Sequence, residues 1–132
     1  MSILALALTL AAPETIKADI AGTWRTQNDK ALVHIAPCGD AWCGRIVKLL
    51  KPVSYQKSHD LNNPDPALRG RPIVGITILT GFHREDGEWR GQVYDPVHGK
   101  NYRSTLATDG DVLRVKGCIA FFCKTQVWPR AG

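Results

Sequence analysis

From Gly22 to Trp128 the chain alternates short apolar-rich segments with turn residues, and the segments are rich in Val, Ile, Thr, Trp and Tyr. Turn signals recurring about every 8 to 12 residues predict an antiparallel all-β domain. Strands are expected near Gly22–Thr26, Ala31–Pro37, Trp42–Leu49, Ile73–Phe82, Glu88–Tyr94, Lys100–Leu106, Val112–Lys116 and Ala120–Trp128. Asp86-Gly87, Asp109-Gly110 and the Asp95-Pro96-Val97-His98-Gly99 stretch supply hairpin turn chemistry. In Glu88–Tyr94, residues Trp89, Gly91 and Val93 share one face and Arg90 and Gln92 the other, as in a half-buried strand. The Ile73–Phe82 run is apolar on both faces, which marks a central strand or one covered by a neighbouring loop. Eight sequential strands joined by hairpins predict an up-and-down barrel. Such a meander removes its exposed edges by closing on itself, around an interior filled by side chains or by one small ligand.

One segment breaks the rhythm. Lys51 to Pro72 contains Pro52, Pro64, Pro66 and Pro72 and the polar stretch Ser58-His59-Asp60-Leu61-Asn62-Asn63. It is the long Pro-rich connection between strands 3 and 4, with a short helical turn at Pro66–Arg69 that Asp65 is placed to cap. A connection of this length is commonly a lid or binding loop, and otherwise a plain crossover. Asp60, Asn63, Arg69 and Arg71 bring both charge signs and amide groups beside the predicted barrel mouth. Arg69 and Arg71 are candidates to hold an anionic head group, with Tyr94 and Tyr102 as further candidates to reach a ligand. Alternatively, Asp60 and Asn63 hold the loop through hydrogen bonds to its backbone while Arg69 pairs with an acid.

The 132 residues, 44% of them hydrophobic and 22% charged, suit one globular domain. The 12 Gly and 8 Pro disfavour a helical bundle and fit many turns. Seventeen Lys plus Arg against 12 Asp plus Glu leave +5, dispersed along the chain. Nucleic-acid binding would need rings and charges on one face, whereas Trp89-Arg90 and Tyr102-Arg103 put them on opposite faces. Ile3 to Ala12 is apolar except for Thr9, too short to span a bilayer but the size of a signal-peptide core, although no Lys or Arg precedes it. Residues 1–19 are therefore read as a signal peptide or N-terminal extension, the other possibility being a short element docked on the domain, and residues 20–132 as a single barrel.

The four cysteines form two equally spaced pairs, Cys38 with Cys43 and Cys118 with Cys123. If each pair flanks a four-residue hairpin turn, its two Cα atoms face each other across neighbouring strands, within disulfide reach. Local pairing would stabilise by on the order of 2 kcal/mol per bridge and point to a periplasmic or secreted protein. The spacing is longer than zinc knuckles use and no histidine adjoins either pair, so no metal is expected. His34, His59, His83 and His98 are scattered, and His83-Arg84-Glu85 lacks the cysteine spacing of a zinc deaminase. Ser54, Ser58 and Ser104 lack a nucleophile elbow, and no Gly-rich phosphate loop precedes a helix. Asp60 with Asp95 is the one carboxylate pair to examine for proximity in the fold; no catalytic residue and no cofactor is predicted.

Two features carry a resemblance to known proteins. Gly22-Thr23-Trp24 and Trp128-Pro129-Arg130 resemble the calycin arrangement, in which an indole plugs the closed end of a lipocalin-like barrel and an arginine from the last strand lies over it. The series Asp60-Leu-Asn-Asn63-Pro-Asp-Pro-Ala-Leu-Arg69-Gly-Arg71-Pro72, then Gly91-Gln-Val-Tyr94-Asp95-Pro96, Gly99-Lys-Asn-Tyr102, Val115-Lys-Gly117-Cys118 and Cys123-Lys-Thr-Gln-Val-Trp128, resembles the bacterial family called domain of unknown function 2147, over about Ile20 to Arg130. The resemblance implies a small exported calycin-like barrel without an agreed activity. The expected function is binding of a small apolar or anionic ligand, or an envelope component, without catalysis. Alternatives are a solidly packed structural or interaction module, or an enzyme using the 60–72 loop.

Overall fold

The structure is a computed structural model and describes residues 19–131; all of the expected leader except Asp19 lies outside the described residues. Eight antiparallel strands form one sheet in chain order: β1 (Gly22–Arg25), β2 (Ala31–Cys38), β3 (Ala41–Leu49), β4 (Thr77–Glu85), β5 (Glu88–Asp95), β6 (Lys100–Asp109), β7 (Val112–Ile119) and β8 (Phe122–Pro129). The expected all-β meander is the observed one. Between β3 and β4 lie a single helical turn, α1 (Tyr55–Ser58), and a 3-10 turn at Pro66–Leu68 whose Ala67 N–H donates to the Asp65 side chain.

The fourth strand starts later than the pattern predicts. Ile73 and Ile76 are buried, but they anchor the returning loop: Ile73 N–H donates to Ser58, and Gly75 N–H, at φ 104°, donates to Ile46. Apolar content there reports burial rather than strand.

Side-chain alternation gives the sheet a dry concave face. Trp24, Val33, Ile35, Ile46, Leu79, Phe82, Trp89, Leu106, Leu113, Val115 and Trp128 fill it. Gly91 is required opposite β4, because a Cβ there would meet the Thr80 carbonyl and the Phe82 ring. The β2–β3, β4–β5 and β6–β7 turns share one end of the barrel with Asp19 and the end of β8; the long connection and the β5–β6 and β7–β8 turns share the other.

Closure is partial, so the sheet is a curled half-barrel. β8 meets β1 through the bridge Trp24↔Arg130 and the Ala131 N–H to Thr23 bond. The reason is length: β1 has 4 residues against 8 in β8, and beyond Arg25 the chain turns away through a 3-10 turn at Gln27–Asp29. The Gln27 side chain accepts the Val127 N–H on this open edge.

Disulfides join Cys38 to Cys43 and Cys118 to Cys123. Each spans a two-residue turn rather than the expected four, because strand pairing continues inside the bridge to the pairs Cys38↔Ala41 and Ile119↔Phe122. Cys118 and Cys123 lie directly opposite, whereas Cys43 faces Ala36 and bonds Cys38 diagonally.

Candidate functional site

The long connection is organised around one buried carboxylate. Asp60 is fully buried. Its Oδ1 accepts the Tyr94 hydroxyl at 2.6 Å, and its Oδ2 accepts Asn63 Nδ2 at 2.8 Å and Arg71 Nε at 3.0 Å. The backbone repeats the pairing, since Asp60 N–H donates to Arg71 and Asn63 N–H donates to Asp60. Leaving the buried Asp60 carboxylate without these partners would cost about 1–3 kcal/mol for each unpaired group, so the four residues act as one clamp. Burial, together with the bond to Asp60 and its negative charge, pushes the Tyr94 phenol up to about 12.

Arg69 takes a different place. Its Nε donates to the Asn63 carbonyl at 2.7 Å, bracing the loop rather than pairing with an acid. Asn62 fixes the loop to the β5–β6 turn by donating to the Val97 carbonyl at 2.6 Å, above Gly99, where a Cβ would strike the Asn62 backbone.

Tyr102 is separated from this clamp. It pairs with Val93 across β5 and β6, so it lies on the concave face while Tyr94 lies on the convex one. Beside it on the concave face is Ser104, whose buried hydroxyl has no hydrogen-bond partner among the described residues. Asp60 and Asp95 are not paired: Asp95 binds His98 at the β5–β6 turn.

The clamp forms one wall of a cleft of about 300 Å3 between the loop and the convex face of β4 to β6. Asn63, Pro64, Asp65, Leu68 and Arg71 contribute from the loop, and Thr77, Thr80, Tyr94 and Asn101 from the sheet. Arg71 is half-buried, and among the described residues its terminal nitrogens make no hydrogen bond. The cleft thus combines the Arg71 guanidinium edge with three hydroxyls, two amides, the Asp65 carboxylate, which caps the 3-10 turn, and the apolar Pro64 and Leu68. Among the described residues no cluster of His, Cys, Asp and Glu has metal-binding geometry.

At the opposite end the barrel is plugged. Trp24 is buried, its Nε1 donates to the Ile20 carbonyl, and the Arg130 guanidinium lies 4.1 Å above its ring. Arg130 also donates to the carbonyls of Ala21 and Asp19. Gly22, at φ 117°, passes close beneath the Arg130 guanidinium, where a Cβ would collide with it. Asp19 accepts from Trp89 Nε1 at 2.9 Å and from the Thr108 hydroxyl at 2.7 Å. Trp42 meets Trp89 edge to face, and Trp128 belongs to the same buried cluster as Trp89.

The family model "Uncharacterized protein conserved in bacteria (DUF2147)" matches residues 22–130. The chain belongs to this family. In fold it is similar to a protein from the human pathogen Helicobacter pylori, HP1028, described as belonging to the lipocalin family. The TM-score is 0.74 at 19% identity, covering 88% of this chain and 85% of that one. At that identity the likeness concerns the fold. No curated protein matches by sequence.

For this DUF2147 member, sequence reasoning missed Asn101, Thr77, Thr80 and Asp19. Asn101 was within reach of inference, because it faces Tyr94 directly across β5 and β6. Thr77 and Thr80 depend on where β4 begins. Asp19 fell inside the expected leader, and its partners are 70 and 89 positions away.

Proposed function

We propose that this chain is an exported, non-catalytic barrel that binds a small, partly apolar ligand carrying an anionic group, seated in the cleft between the Asn63–Arg71 segment and β4 to β6. The observation that carries the reading is Arg71. Asp60 fixes its Nε and so orients the guanidinium, while the terminal nitrogens stay available on the cleft wall. A carboxylate or phosphate accepts from such an edge in the plane of the guanidinium. Thr77, Thr80 and Asn101 supply further donors, and Leu68 and Pro64 an apolar surface. The likeness to a lipocalin-family fold supports small-molecule binding by analogy alone. The two disulfides favour an oxidising compartment, periplasmic or secreted.

A second reading, a packed structural or interaction module of the envelope, draws support from Asp60, whose two oxygens are both occupied within the fold. Thermal-shift titration with short-chain carboxylates and phosphate monoesters, with native mass spectrometry of the protein as isolated, separates the two. The ligand reading expects a rise in Tm with at least one class that is lost in Arg71→Gln. Absence of any shift, and of any retained mass, overturns it in favour of the module.

A further inference from the structure

The β7–β8 hairpin ends in the two-residue turn Ala120-Phe121, with Ile119 paired to Phe122 and Cys118 to Cys123 behind it. Phe121 is 99% exposed, Phe122 83% and Ile119 44%. Two adjacent phenyl rings project into water here, whereas the chain's third phenylalanine, Phe82, and Trp24, Trp89 and Trp128 are buried. Three features hold them out. The Cys118–Cys123 bridge closes the ladder immediately behind the turn. Ala120 adopts φ 53°, where glycine or asparagine is the ordinary choice. Arg103 on β6 donates to the Ala120 carbonyl at 2.7 Å and braces the turn from the side. The tip is therefore a preformed projection that cannot fold back onto its own strands.

The charged side chains nearest it on β6 to β8 are cations. Lys116 and Lys124 lie on the two strands just below the bridge, Arg103 lies alongside, and from Val112 to the C-terminus the chain contains no acidic residue. A convex tip of three apolar side chains is far too small for a stable protein interface, which needs about 800 Å2 from each partner. It does suit a bilayer, where a few rings at the head-group level and flanking cations act together.

We propose that the Ile119–Phe122 tip docks the barrel on an anionic lipid bilayer, with Phe121 and Phe122 entering the interface and Arg103, Lys116 and Lys124 lying against the head groups. This inference does not rest on the ligand cleft.

The test is co-sedimentation of the oxidised full chain with vesicles of phosphatidylethanolamine and phosphatidylglycerol, against vesicles of phosphatidylcholine alone. Binding is expected with the anionic vesicles and is weakened by salt. It should fall about tenfold or more in the double variant Phe121→Ser with Phe122→Ser, and likewise in Lys116→Glu with Lys124→Glu. The apolar N-terminal run is common to every variant, so the differences report the tip. Phe121→Trp should add emission that brominated acyl chains quench in anionic vesicles only. Circular dichroism and thiol titration establish that each variant is folded and oxidised. Equal binding by the serine double variant, no binding to anionic vesicles, or unquenched Trp emission would overturn the proposal.

Discussion

The Tyr94 hydroxyl donates to the buried Asp60 carboxylate at 2.6 Å, across 34 positions of sequence. The bond ties the long β3–β4 connection to the convex face of β5. Arg71 and Asn63 complete the carboxylate's shell from the returning and outgoing arms of the loop. Removing Tyr94's hydroxyl by Tyr94→Phe should destabilise the fold by about 1–3 kcal/mol in urea unfolding. A double-mutant cycle with Asp60→Asn should show coupling of about 1 kcal/mol or more, because the two groups touch. Strict additivity would mean that the clamp does not act as a unit.

Tyr94 also sets an alkaline limit. Its folded phenol is pushed up to about 12 from an ordinary 10.0. A raised value favours the protonated form in the folded state, so the contribution is complete below pH 10 and is lost as pH rises from 10 through 12. Phenolate absorbance should show one of the chain's 3 tyrosines titrating late, together with loss of structure. Tyr94→Phe should abolish that late step.

Asp19 behaves in the opposite sense. Burial works against its charge, but hydrogen bonds from Thr108 and Trp89 and the nearby Arg84 outweigh burial and hold the carboxyl below its ordinary 3.8. A depressed value contributes stability above pH 3.8 that is lost as pH falls below it. Acid unfolding followed by tryptophan fluorescence should therefore be less steep in Asp19→Asn. An unchanged acid limb would show that the Asp19 carboxylate is not linked to folding.

Arg130 stacks on Trp24 and closes the barrel end through the carbonyls of Ala21 and Asp19. Arg130→Ala should cost about 1–2 kcal/mol, measured by chemical denaturation. Arg130→Lys should recover only part of this, since an ammonium offers neither the planar stack nor the two-pronged contact. Full recovery by lysine would reduce the role of Arg130 to charge.

The hairpins were legible in sequence because their turns carry their own chemistry. Asp86 and Gly87 take positive φ as an Asp-Gly hairpin turn requires. What sequence conveyed less well was context. The run Ile73–Ile76 has the hydrophobicity of a strand, but its burial serves the loop. The incomplete closure follows from the brevity of β1, which the residues after Arg25 do not announce. The candidate site divides in the same way. Asp60, Asn63, Arg71 and Tyr94 converge, whereas Arg69 finds backbone carbonyls in place of an acid, and Tyr102 faces away because the register pairs it with Val93. Register depends on the length of the β5–β6 turn, and composition alone does not report it.

The two disulfides each join cysteines separated by 5 positions, and they sit in turns at opposite rims of the barrel. Each pair is brought together by its own hairpin, at the small entropy of closing a short loop. The chain can therefore acquire its bridges independently and in either order, with the competing partners held a barrel length apart. Oxidation becomes a local event that follows strand pairing, so the protein should mature without the reshuffling that long-range cysteine pairings demand.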